Sequence, residues 1–469
     1  MNPFSSITRR SFLARSGISV GALALGDLLH RDLFASERGL PGLPHHKPKA
    51  KRVIFLYMSG GPSHLETFDY KPELAKHDGK PMPASFTKGQ PIAQLQGAEL
   101  RAQGPLTRFA KYGKNGQWIS SFLPWHATMA DDITIIRSMV TDQINHDPAH
   151  TMMNTGTAIS GRPSMGSWIT YGLGSECDNL PGFIVMTSFA GRNPQPISQR
   201  MWGPGFLPSR YQGVEFNSVG EPVSYLKPPV GITSTQQKRL VDSIISLDQH
   251  RNKQAFDPEV ETRIKAYEMA FKMQTAVPEL MDISKEPASV LEKYGATPGD
   301  GSFASNCLLA RRLAERGVRF IQLYHRDWDH HGDLVRYMNI CCNATDKPTY
   351  ALLQDLKQRG MLDDTLIIWG GEFGRTPMYQ GKGGVGRDHH IKGFSMWLAG
   401  GGIKPGISYG NTDELGYHAV ENPVHVRDLH ATVLHQLGID HNRLSVKYQG
   451  LDMKLTGVEP ARVVKEILL

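Results

Sequence analysis

Cysteine is scarce in this chain of 469 residues: Cys177, Cys307, Cys341 and Cys342 are the four. None stands in a CxxC pair or at zinc-ribbon spacing, which excludes a thiolate metal module. Cys341 and Cys342 are adjacent and poorly placed to bridge each other, because that disulfide geometry is strained. One long-range disulfide remains open beside the simpler reading of buried thiols. Long apolar runs are missing as well. None reaches the roughly 20 residues that span a bilayer, so no transmembrane anchor is expected. The formal charge of +7 is a mild bias, since four arginines against two aspartates in the first 36 residues leave +5 for the rest. No Lys/Arg-rich run with interleaved aromatics occurs, which argues against nucleic acid as a partner and leaves an anionic small substrate compatible with the charge. Internal repeats and long low-complexity tracts are also absent.

What is present is ordinary globular composition, 40% hydrophobic and 21% charged, with 48 Gly and 30 Pro that imply many ordered turns and long loops. The N-terminus is more specific. TRRSFLARSG (residues 8–17) sets paired arginines before Ser11, Phe12 and Leu13, and a short, weakly apolar segment of small residues runs on towards Ala35. This resembles a twin-arginine export signal. The expectation is a signal peptide over residues 1–36 and a Pro/Lys/His-rich linker over 37–51. A single domain would then fill residues 52–469, exported by the twin-arginine translocase to the periplasm or beyond.

Candidate strands are RVIFLYM (52–58), DITIIRSM (132–139), GFIVM (182–186), VRFIQLY (318–324), TLIIWG (365–370) and FSMWLAG (394–400). Helical spacing marks residues 305–317, 349–359 and 426–438, and a mostly helical, charged stretch covers 236–295. Strands alternating with helices predict an α/β fold, a mostly parallel central sheet with helices on both faces. An irregular and helical insertion is expected around 192–298.

The chemistry gathers after the strands. HRDWDHHGD (325–333) packs three histidines and three aspartates into nine residues directly behind VRFIQLY. In open α/β sheets, ligands bind in the crevice beyond the carboxyl ends of the strands. In an extended segment Asp329 and His331 point to one side and His330 to the other. A carboxylate plus an imidazole suits a divalent metal, and His389 or Asp388 of GRDHH (386–390) can complete the set. Glu372, behind TLIIWG, is the candidate for a second ion. Arg375, three residues on, has a guanidinium suited to clamping phosphate or sulfate oxygens.

Seven segments, in order, carry a family resemblance: MSGGPSHLETFD, NHDPAHTMMNTG, RPSMGSWITYGLG, WDHHGD, GGEFGRTP, GRDHH with FSMWLAGGGIKPG, and DLHATVLHQLG. Together they resemble the exported family called domain of unknown function 1501 (DUF1501), which looks like a sulfatase-related branch of the alkaline phosphatase superfamily. The resemblance implies a metal held by Asp329, His331 and His389, with Asp327 as rival to Asp329 because Asp327 and His331 reproduce the Asp-x-x-x-His spacing of the phosphatase and mutase branches. It also implies a second metal, where this sequence departs from the pattern. Phe373 stands where His or Asn is expected after Glu372, and Ser59 stands in place of the first-strand Asp, with Glu66 and Asp69 downstream as substitutes. Setting Thr155 and Gly156 against the Thr-Gly of sulfatases places His146 at the nucleophile, Pro148 at the proline and His150 at the arginine. No Ser, Thr or Cys stands there. An imidazole at His146 can act as ligand, general base or nucleophile.

The implied function is an exported metal-dependent hydrolase of sulfate or phosphate esters using a metal-activated water or an imidazole. It would hold one or two divalent ions (zinc, manganese, calcium or iron) and act on an anionic ester such as a sulfated carbohydrate. The alternative is a non-catalytic metal-containing binding or assembly protein on a degenerate sulfatase-like fold, partnered by a co-encoded exported cytochrome-like protein.

Overall fold

The computed structural model describes residues 39–191, 194–223, 231–255, 258–381 and 385–469. The expected signal peptide, the first residues of the linker and Arg192 at the start of the expected insertion lie outside them.

Among the described residues nine strands form the central sheet: β1 (Arg52–Met58), β2 (Thr134–Val140), β3 (Phe183–Ser188), β4 (Val214–Glu215), β5 (Phe320–His325), β6 (Thr365–Gly370), β7 (Phe394–Ala399), β8 (Ile407–Tyr409) and β9 (Val424–His425). The order across the sheet is β8-β2-β7-β6-β1-β5-β3-β4, with β9 also paired to β2. β1 runs parallel to β5 and β6, and β3 is parallel to β5 and β4. β7 is the exception, antiparallel to both β2 and β6. Two reversals leave β2 pointing the same way as β6. The carboxyl ends of β1, β2, β5 and β6 therefore share one edge.

The long strands β1, β3, β5, β6 and β7 are largely apolar on both faces because both are covered, the usual condition of parallel sheets. From β1, Ile54 and Leu56 join a core with Leu308, Leu352 and Leu356. Those residues come from the helices Phe303–Glu315 and Leu334–Gln358. Val53, Phe55 and Tyr57 join the opposite core with Met152, Trp168, Leu429 and Val433. These lie on the helices α1 (His146–Thr155), Met165–Leu173 and Val426–Gln436. The residues between β4 and β5 include two long helices, Ser234–Ala255 and Pro258–Met281.

Leu334–Gln358 is 25 residues long, where the sequence predicts a helix only from Thr349. Pro348 lies inside it. Proline removes one helical N–H and crowds the preceding turn, which argues locally for a break. Leu334, Met338, Cys341, Thr345, Pro348, Leu352 and Leu356 nevertheless form one buried stripe. Burial of that stripe against the sheet overrides the local preference. The four cysteines are free and buried, so no disulfide forms.

Candidate metal centre

Loops leaving β1, β2, β5 and β6 meet at the shared edge, and glycine permits the closest approaches. A Cβ on Gly60, whose φ is +121°, would lie 2.5 Å from the backbone N of Asp329; one on Gly386 would lie 2.0 Å from the carbonyl oxygen of His331. Larger residues would push the β5 loop away from its neighbours.

Four side chains converge there. Asp329 Oδ1 lies 2.8 Å from His331 Nε2, 3.2 Å from His146 Nε2 and 3.3 Å from His389 Nε2. His331 Nε2 and His389 Nε2 are 3.0 Å apart. The ligand atoms of all four residues fall within 4.8 Å of one another. A tetrahedral ion with bonds of about 2.0–2.1 Å holds its ligand atoms roughly 3.3 Å apart, close to the spacings in this cluster. His146 Nε2 is buried and, although near Asp329, makes no aligned hydrogen bond.

The opposite ring nitrogens fix the tautomers. Each Nδ1 faces an oxygen: Glu372 Oε1 at 2.7 Å for His146, Gln380 Oε1 at 2.6 Å for His331, and the Ile144 carbonyl at 2.9 Å for His389. An oxygen acceptor requires the proton on Nδ1, so three Nε2 lone pairs point at one another and at a carboxylate oxygen. Lone pairs so arranged repel unless a cation lies between them, and imidazoles tied on their far side to oxygen are the usual outer support of bound metal. The donor set fits a divalent ion.

Arg375 holds the carboxylate in place. Its Nη2 donates to Asp329 Oδ1 at 2.6 Å and to the Gly60 carbonyl, Nε donates to the Gly61 carbonyl at 2.9 Å, and Nη1 to the Arg387 carbonyl at 3.1 Å. This guanidinium is 1% exposed and engaged by protein oxygens, so it does not clamp an external anion. Burial disfavours the Asp329 anion, but Arg375 and the three imidazoles outweigh it and hold its pKa well below the carboxylate range. Burial, reinforced by Arg375, depresses His389 to about 4 against the pull of Asp329. For His146 the burial that would lower its pKa is outweighed by the neighbouring Asp329 and Glu372 carboxylates, and its pKa rises.

Glu372 is not one of the four. Fully buried, it accepts the Gly60 N–H at 3.0 Å and forms a second group with His146 and His150, its Oε2 lying 3.5 Å from His150 Nδ1. Since it receives the outer proton of His146, it supports a ligand. His150 is kept neutral by burial, its pKa about 4, with Nδ1 2.8 Å from the Tyr57 hydroxyl.

Asp388 does not join the cluster. Its oxygens accept backbone N–H groups of His389, Gln94 and Leu95 at 2.9, 2.7 and 2.8 Å. Asp327 also lies outside it, buried, its carbonyl accepting from His330 Nε2 at 2.9 Å. Glu66 is paired with Arg387 at 2.7 Å and Asp69 with Lys71 at 3.0 Å, so neither substitutes for a first-strand ligand. Ser59 is buried with its hydroxyl unpartnered. Phe373 walls the cluster, its ring 4.9 Å from that of His146 and 4.6 Å from that of His389. Solvent reaches it on the His331 side, where the side chain is 22% exposed.

Sequence reasoning missed three amides. Gln195 Nε2 donates to Asp329 Oδ2 at 3.0 Å, and Gln380 and Gln94 border His331. Glutamine has no ligand spacing or charge signal, and all three arrive from segments far from the β5 loop in sequence.

One protein family matches the chain, over residues 50–468, under the description "Protein of unknown function (DUF1501)". None of the curated proteins matches it. Among solved structures, Ps i-CgsB in complex with k-i-k-neocarrahexaose is 10% identical over 83% of this chain and 72% of that one, with a TM-score of 0.35. The lipoteichoic acid synthase LtaP from Listeria monocytogenes is 11% identical over 88% and 75%, TM-score 0.33. Alkaline phosphatase from the Antarctic bacterium TAB5 is 10% identical over 77% and 94%, TM-score 0.27. At such scores a likeness says nothing about activity.

Proposed function

The chain belongs to the DUF1501 family, and we propose that it is an exported hydrolase of sulfate or phosphate esters that works with a divalent cation. One observation carries the reading: Nε2 of His146, His331 and His389 meet at an oxygen of Asp329, while each Nδ1 faces an oxygen acceptor. Asp329, His146, His331 and His389 would hold the cation, which supplies Lewis acidity, acidifying a water and polarising an ester oxygen.

The chain's own residues do the rest. Arg375 keeps Asp329 ionised and aimed. Glu372 and the Ile144 carbonyl lock two ring orientations, and Phe373 excludes water from one wall. His146 then serves as a ligand and not as the nucleophile, because both ring nitrogens are committed. The substrate class, an anionic ester such as a sulfated carbohydrate, rests on the motif resemblance, and passage through the twin-arginine translocase rests on the paired Arg9 and Arg10. No helix among the described residues is long and apolar enough to cross a membrane.

A second reading, a metal-holding assembly protein partnered by an exported cytochrome-like protein, is favoured by two observations. No Ser, Thr or Cys side chain among the described residues hydrogen-bonds to the four ligand groups, and Arg375 is engaged by Asp329 and backbone carbonyls. The test is a panel of sulfate and phosphate esters given to the zinc- and manganese-loaded protein beside His331→Ala. Turnover that disappears with the metal in the variant supports the hydrolase. Stoichiometric metal with no turnover across the panel favours the assembly protein.

A further inference from the structure

A segment around Gln94 reaches over the solvent-facing side of the cluster. It is fastened there by the Gln94 and Leu95 backbone N–H groups, which donate to Asp388 Oδ2 at 2.7 and 2.8 Å, next to His389. The exposed Gln94 side chain closes a ring of hydrogen bonds around one imidazole. His331 Nδ1–H donates to Gln380 Oε1 at 2.6 Å, Gln380 Nε2–H donates to Gln94 Oε1 at 3.0 Å, and Gln94 Nε2–H faces His331 Nε2 at 3.3 Å.

In that direction every donor has an acceptor while the imidazole carries its proton on Nδ1, the tautomer that leaves Nε2 free as a ligand. A cation held by Nε2 would take the acceptor from Gln94. The carboxamide cannot turn its oxygen inward without breaking the bond from Gln380, so an N–H stays aimed at the space beside His331. The next acceptor available to it is an oxygen standing on the open side of the cluster. Of the other polar groups there, Arg375 is engaged by protein oxygens and Gln195 Nε2 already donates to Asp329 Oδ2.

We propose that Gln94 binds the substrate, its carboxamide N–H donating to an oxygen of the tetrahedral sulfate or phosphate group held at the cluster. The inference rests on the hydrolase reading and deepens it. It also gives Asp388 a role: its carboxylate ties the Gln94 segment to the chain beside His389.

The test is calorimetric titration of the full chain, first with zinc and then, on the zinc-loaded protein, with inorganic phosphate and inorganic sulfate. Wild type is compared with Gln94→Ala and Gln94→Glu, and thermal melting of each zinc-free protein checks the fold. The expected result is zinc affinity within threefold of wild type for Gln94→Ala and anion affinity reduced about 10- to 100-fold, the range for one hydrogen bond to a charged group. Gln94→Glu, which sets a carboxylate against the anion, should bind it more weakly still. Loss of zinc from a folded Gln94→Ala would make Gln94 a ligand, and unchanged anion affinity would make it a bystander; either overturns the proposal alone. A wild-type protein that takes up no zinc, and no manganese, calcium or iron when these are titrated in its place, overturns the metal reading and this inference with it.

Discussion

Replacing Glu372 by glutamine removes a negative charge from behind His146 and leaves the four converging residues intact. Glu372 is fully buried, with Oε1 2.7 Å from His146 Nδ1 and 3.0 Å from the Gly60 nitrogen. A glutamine of the same shape keeps one oxygen acceptor for these donors, so the ring is not released. What is lost is the charge that makes Nδ1–H a strong donor and Nε2 a strong base. Substitutions in this outer position weaken metal binding about 10- to 100-fold, or roughly 1.4–2.8 kcal/mol. Zinc affinity measured by competition against a chromogenic chelator, with melting of the zinc-free proteins as a control for folding, reads the effect directly. A Glu372→Gln protein that folds normally and binds zinc within twofold of wild type would refute the claim that His146 presents Nε2 to a cation while Glu372 braces its far side.

Other outcomes follow from the same geometry. Arg375→Met leaves the Asp329 carboxylate, only 10% exposed, without its guanidinium, and should cost roughly 3–5 kcal/mol in urea unfolding of the metal-free protein; a loss below about 1 kcal/mol would contradict the pairing. Burial holds His430 neutral at a pKa of about 4 and His325, His330 and His390 at about 3. Unfolded, these groups titrate near 6.5, so the unfolded chain binds more protons below that pH. Stability should therefore be full above pH 6.5 and fall steadily towards pH 4, by up to about 1.4 kcal/mol per pH unit for each such group; constant stability over this window, measured by urea titration, would contradict the assignment. Changing Arg9 and Arg10 to lysine should retain the protein in the cytoplasm on cell fractionation, and unimpaired export would remove the twin-arginine expectation.

The six long strands were readable from local pattern because they are largely buried and stand out as short apolar runs. RVIFLYM and TLIIWG coincide with β1 and β6, and β2, β3, β5 and β7 shift by a residue or two, whereas the two- and three-residue strands β4, β8 and β9 were missed, being too short to show a pattern. The reversed direction of β7 was not readable, since an apolar strand looks the same in either sense. The length of Leu334–Gln358 was hidden by Pro348, whose cost is local while the gain from burying the stripe is tertiary. At the site, residue type and position after a strand brought out His146, Asp329, His331, Glu372 and His389, all of which lie in the two His/Asp/Glu groups. For Arg375 and Asp388 the same pattern gave no sign that protein groups engage both side chains, because sequence shows that a charge is present and not which groups occupy it. Gln94, Gln195 and Gln380 carried no signal, since a neutral amide becomes informative only when its distance to a ligand is known.

Three imidazoles and one carboxylate converge where a cation would sit. The most direct test is the metal content of the full chain purified under native conditions, measured by inductively coupled plasma mass spectrometry beside folded His331→Ala and His389→Ala. At least one equivalent of zinc, manganese, calcium or iron is expected in the wild type, and its loss from both variants. A wild type without metal, which takes up none when it is supplied and whose variants fold equally well, would reduce the cluster to a hydrogen-bonded loop and contradict the account.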